Sequence, residues 1–199
     1  WAPDLYRYFD VGGDIPIVPI GQWDIMGWNT SNPQYPSAWI KYRYFNWIDC
    51  PMIQSSGNYE LNPSSLSDNN CFQIRSPYSD TQHFVVEYRK QEGMYDSNLP
   101  GNSDGMLIFR VNLDINENGI IDTLDSYGED DLLEGWTVGG NGMGPPDELY
   151  VYRQGGTSSN NGTVNSAIFS SQTGRTEIND TTSPSSFLHG GVPGGLDIS

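Results

Sequence analysis

Hydrophobic and polar positions alternate with a period of two in two stretches of the chain. In the first, Phe84, Val86 and Tyr88 alternate with Val85, Glu87 and Arg89. Successive strand residues point to opposite faces, so this period predicts a strand with one apolar row against a core and one mixed row elsewhere. In the second, Leu107, Phe109, Val111 and Leu113 alternate with Met106, Ile108, Arg110 and Asn112. Both rows begin apolar, which predicts a strand that starts in the core and emerges polar. Between the two lie the turn pairs Pro100-Gly101 and Asp104-Gly105. A hairpin with a long tip is the expected result.

Elsewhere the pattern is shorter. Residues 1–34 hold Gly12-Gly13, Pro16, Pro19, Gly21, Gly27 and Pro33, which excludes a long helix or a regular central strand there. A helix is expected from Ala38 to Trp47, with Ser37 at its N-cap. Its aromatic residues cover much of the circumference, which predicts burial. From Pro51 onward strands and turns follow, with strand-like segments at 52–62, 71–75 and 149–151 before a Gly/Ser/Asn-rich tail. The fold class expected is mainly β: an antiparallel β-sandwich over 51–199, preceded by a short irregular lobe with one helix over 1–50.

Composition narrows this picture. The 199 residues suffice for one domain, or one domain plus an appendage. With 23 Gly and 13 Pro, short strands joined by turns are favoured over long elements. Nine basic against 25 acidic residues give a formal charge of −16. That charge disfavours nucleic acid and anionic membranes as partners and suits divalent cations. No apolar run is long enough to span a bilayer, so membrane insertion is not expected. A first residue of Trp rather than Met reads as processing or truncation.

The sharpest chemical motif follows the second strand. Counting Asp114 as position one, oxygen-bearing side chains fall at Asp114, Asn116, Asn118, Asp122 and Asp125, with Gly119 at position six. That is the ligand spacing of a twelve-residue calcium loop, in which the Ile120 carbonyl at position seven is a further ligand. A hard cation takes six or more oxygens, and Gly lets the chain turn sharply round it. The departure is Asp125 at position twelve, where a longer Glu commonly supplies two oxygens. The alternative is an Asx-rich turn that binds nothing; the full pattern favours calcium. The acidic run at 129–131 reads as a solvated turn.

The two cysteines, Cys50 and Cys71, flank strand-like segments and can lie side by side. A disulfide between them would add roughly 3 kcal/mol by restricting the unfolded chain; two buried thiols are the alternative. The acidic, Asn-rich, Lys-poor composition suits an extracellular location and therefore the bridge.

The chain also resembles a known family. Ala2-Pro3-Asp4-Leu5-Tyr6, then residues 21–26 (Gly-Gln-Trp-Asp-Ile-Met) and 37–42 (Ser-Ala-Trp-Ile-Lys-Tyr), are similar to the immune inhibitor A type of secreted zinc metalloproteases. Residues 85–91, Leu99-Pro100-Gly101, 105–109, 174–182 and 195–199 continue the likeness in the same order. In that family a zinc helix, H-E-x-x-H-x-x-G-x-x-D, comes just before the Pro-Asp-Leu-Tyr segment. The resemblance implies that Asp4 falls on the third zinc-ligand position and Met26 on the Met-turn beneath the metal. Trp1 stands where the family has Gly. H-E-x-x-H is missing from this chain, whose two histidines are His83 and His189. His83 reads as structural and His189 as a loop residue; neither is assigned to zinc, and no catalytic residue is assigned.

Three functions fit. The first is part of a secreted zinc metalloendopeptidase acting on protein or peptide substrates, inactive alone, with zinc held only where the upstream helix is present. The second is a non-catalytic, calcium-stabilised extracellular β-domain for partner binding or assembly. The third is a carbohydrate-binding sandwich, suggested by the many aromatic residues. H-E-x-x-H upstream of Trp1 separates the first two. Exposed coplanar rings on one sheet face would mark the third.

Overall fold

The structure is a computed structural model and describes residues 17–25, 27, 34–66, 68–115, 121–122 and 149–199, with 114–115 and 121–122 as backbone. It is a small, mostly β fold with one antiparallel four-stranded sheet and one α-helix. The strands are β1 (Cys71–Arg75), β2 (Gln82–Arg89), β3 (Gly105–Asn112), the two-residue pair β4 (Asp114–Ile115) and β5 (Ile121–Asp122), and β6 (Leu149–Val151). The sheet order is β1-β2-β3-β6, every neighbour antiparallel. The β2–β3 hairpin forms as its alternation predicts, in the register Val85↔Phe109.

Period-two alternation sorts the sheet into two rows, and both are buried. One row holds Cys71, Val85, Leu107, Phe109, Val111, Leu149 and Val151, packed under Ile20, Trp23, Ala38, Trp39 and Ile40. The other holds Phe84, Val86, Ile108 and Tyr150, packed under Phe169, Ile178, Phe187, Leu188 and Leu196. The sheet is therefore the middle of three layers, with the helix side above, joined by Ala167 and Ile168, and Phe169 and the segment after it below. Residues on both sides of Pro51 share the first of these cores. Isolated bridges Ser170↔Arg175 and Ile178↔Ile198 give the lower layer its regularity.

Three expectations need correction. The helix α1 runs only from Ala38 to Arg43, capped by the Ser37 side chain at the Ile40 amide. Asn46 takes a φ of 52°, a left-handed conformation that ends a helix. The Trp47 amide then bonds back to the Lys41 carbonyl at 2.9 Å. The 52–62 segment is no strand; its one bridge to the sheet is the parallel Met52↔Gln73, and Tyr59 packs edge-on against Phe72 of β1. The mixed row of β2 is not set apart from the core, for Val85, Glu87 and Arg89 are each fully buried.

Candidate functional site

Alternation explains why Glu87 and Arg89 meet: residues two apart on a strand share a face. Arg89 Nε donates to Glu87 Oε1 at 2.7 Å, and its Nη1 to Asp96 Oδ1 at 3.0 Å. Its Nη2 reaches the carbonyls of Trp23 (3.3 Å), Tyr35 (3.1 Å) and Pro36 (3.4 Å). Burial opposes the charge on this guanidinium, but Glu87 and Asp96 outweigh it and hold the proton more tightly than in water. Glu87 Oε2 accepts from the Ala38 amide at 2.5 Å, and Asp24 Oδ2 from the Ser37 amide at 2.5 Å. Two carboxylates thus satisfy amides at the start of α1, where unpaired N–H groups and the helix dipole favour negative charge.

Lys41 completes the cluster. Its ammonium donates to the Ser64 carbonyl at 2.7 Å and lies 4.8 Å from the centre of the Tyr35 ring. Burial, and then Arg89, pull its pKa below the usual lysine value. The Asp96 carboxylate accepts from the Tyr35 amide and the Ser64 hydroxyl. Asp24, Lys41, Glu87, Arg89 and Asp96 therefore tie three parts of the chain together: the 20–40 segment, β2 and the hairpin tip. Apart from the Ser64 hydroxyl on Asp96, the hydrogen bonds named here hold backbone or another member of the cluster, so its chemistry is that of a clamp.

The acidic loop begins where β3 ends. The β4–β5 ladder pairs Asp114 with Asp122 and Ile115 with Ile121. Positions one and nine of the proposed calcium loop are thus backbone partners. Asn116, Asn118, Ile120 and Asp125 lie outside the described residues, as do Asp4 and Met26. The Gly27 amide donates to the Asp24 carbonyl at 2.9 Å. Among the described residues no three His, Cys, Asp or Glu side chains form a metal-holding group. The described residues do not fit zinc, and no hydrolytic step is assigned to them.

Cys50 and Cys71 are free thiols buried in the same core, and the Cys71 thiol donates to the Asp49 carbonyl at 3.5 Å. Its neighbour Cys71, together with burial, pushes the Cys50 thiol far above its usual pKa. Gln73 Nε2 fixes the neighbouring chain by donating to the Cys50 carbonyl at 2.6 Å. His83 packs edge-on against Trp39, with ring centres 5.3 Å apart. Burial, and then Arg75, lower its pKa to about 4. His189 lies in a short 3-10 turn and gives its amide to Gln82 Oε1 at 2.7 Å. The exposed rings Trp47, Tyr59, Tyr78 and Tyr95 lie on loops rather than on a sheet face.

Sequence reasoning passed over the Arg89 cluster. Its signal was present: opposite charges at 87 and 89 in an otherwise apolar strand can both be buried only as partners. No protein-family model, curated protein or solved structure matches the chain.

Proposed function

We propose that this chain is the non-catalytic, calcium-stabilised part of a secreted zinc metalloendopeptidase that acts on protein or peptide substrates. The observation that carries the reading is the β4–β5 ladder, which pairs Asp114 with Asp122, positions one and nine of a twelve-residue stretch with calcium-ligand spacing. The buried clamp at Arg89 supports it. Arg89 on β2 holds the carbonyls of Trp23, Tyr35 and Pro36, which fixes that part of the chain to the sheet. In this reading Asp4 is a zinc ligand only alongside an upstream zinc helix, and the metal supplies the activated water. The fold is an antiparallel β-sandwich in which the layer from Phe169 onward closes over the lower face of the sheet. The protein works outside the cell, where millimolar calcium is available and a Cys50–Cys71 bridge is stable.

The test uses the encoded residues upstream of Trp1. Their sequence should contain H-E-x-x-H, and the longer chain should digest casein in a chelator-sensitive way. Asp4→Ala should remove zinc and activity together. An upstream segment without that motif, or full activity in Asp4→Ala, overturns the reading.

A further inference from the structure

A pocket of about 210 Å³ opens where the hairpin tip meets the lower layer, lined by Gly101, Ser103, Gln154, Asn165, Thr173 and Arg175 among others. At its rim two chain segments come close: Gly101 has a φ of 80°, and a Cβ there would lie 2.6 Å from the Asn165 carbonyl oxygen. Arg175 is fixed from behind. Its Nη2 donates to the carbonyls of Ser166 at 3.0 Å and Ile168 at 2.8 Å. Its Nη1 has one long bond, 3.4 Å to Gln154 Oε1, and its Nε is buried with no partner. No carboxylate lies within ion-pair distance of Arg175 among the described residues. Burial alone acts on its pKa, and lowers it.

In a chain with 25 acidic and 9 basic residues, this half-buried guanidinium is held by neutral carbonyls and the face of the Phe169 ring, with no carboxylate opposite it among the described residues. We propose that this pocket binds a small carboxylate monoanion, through Arg175 Nη1 and the polar groups of Ser103, Gln154 and Asn165. One guanidinium neutralises one negative charge. A phosphate dianion would leave a second charge unmatched inside a protein of net charge −16. The surrounding amides and hydroxyls both donate and accept, which suits the end of a peptide chain. This inference does not depend on the proteolytic reading above.

The probes are N-acetylalanine, N-acetylalaninamide and inorganic phosphate, titrated into the 199-residue protein by NMR. N-Acetylalanine should bind in the millimolar range, and the amide should bind roughly tenfold more weakly or not at all. Phenylglyoxal should modify Arg175, and N-acetylalanine should slow that modification in the unaltered protein, which needs no variant to fold. Arg175→Gln should lose binding, while Arg175→Lys, which keeps the charge, should retain part of it. Equal binding of acid and amide overturns the proposal. So does tighter binding of phosphate, unslowed modification of Arg175, or no binding of N-acetylalanine.

Discussion

Arg89 Nε and Glu87 Oε1 lie 2.7 Å apart on one strand, and both side chains are shut off from solvent. A buried pair is held in place by what else it touches, since desolvation can cancel the attraction between the two charges. Here the remaining donors and acceptors reach the start of α1, the 20–40 segment and Asp96. The pair therefore sets how the helix side docks on the sheet. Arg89→Met leaves Glu87 and Asp96 buried without their cation and is expected to cost about 3–5 kcal/mol. Urea unfolding checks this; a loss below about 1 kcal/mol, the scale of an exposed pair, would contradict the clamp.

His83 gives the fold an acid sensitivity. Its folded pKa is about 4, against 6.5 for an unperturbed histidine. Between those values the unfolded chain binds a proton that the folded chain does not, so stability falls as pH falls through this window. The contribution is intact above the unfolded pKa and is lost towards the folded one, about 3 kcal/mol in all. His83→Phe should flatten that part of the stability–pH curve relative to the parent. Identical slopes for the two proteins would rule out His83 as the titrating group.

Cys50 and Cys71 are buried in the same core, where a bridge between them can be tested. Non-reducing peptide mapping of protein purified without reductant should recover the two cysteine peptides as one linked species. Recovery of both as alkylated thiols, without any reductant, would count against the bridge and the extracellular location together.

The 199-residue chain alone should not act as a peptidase. Catalytic zinc takes three protein ligands and an open position for water, with a general base nearby. Calorimetry with zinc should show no tight site, and casein should stay intact. Chelator-sensitive proteolysis by the purified chain would mean a zinc site lies among residues assigned no such role.

The hairpin was legible because two apolar-rich runs of eight residues, β2 and β3, flank a segment of Pro-Gly and Asp-Gly turn pairs. The helix start was legible from Ser37, which caps it. Its end was not, because Asn46 reverses the chain within a run that still looks helical by its aromatic residues. Burial of the mixed row was hidden for a different reason. Glu87 and Arg89 read as solvent-facing until Ala38, Asp96 and three carbonyls from distant parts of the chain close round them. The Arg175 pocket was equally hidden, since the residues lining it are brought together from 101 to 175 by tertiary packing. Ligand spacing in the acidic loop was readable because a calcium loop is local in sequence.

Calcium binding by residues 114–125 is the central claim, and thermal unfolding with and without calcium tests it most directly. Affinity should lie at about 0.1–1 mM, the range of extracellular modules. At roughly tenfold that concentration, linkage predicts about 1.4 kcal/mol of added stability and a raised Tm. Asp114→Ala should remove the rise without altering the calcium-free melting curve to the same degree. A melting curve unchanged by several millimolar calcium, or an undiminished rise in Asp114→Ala, would contradict the account.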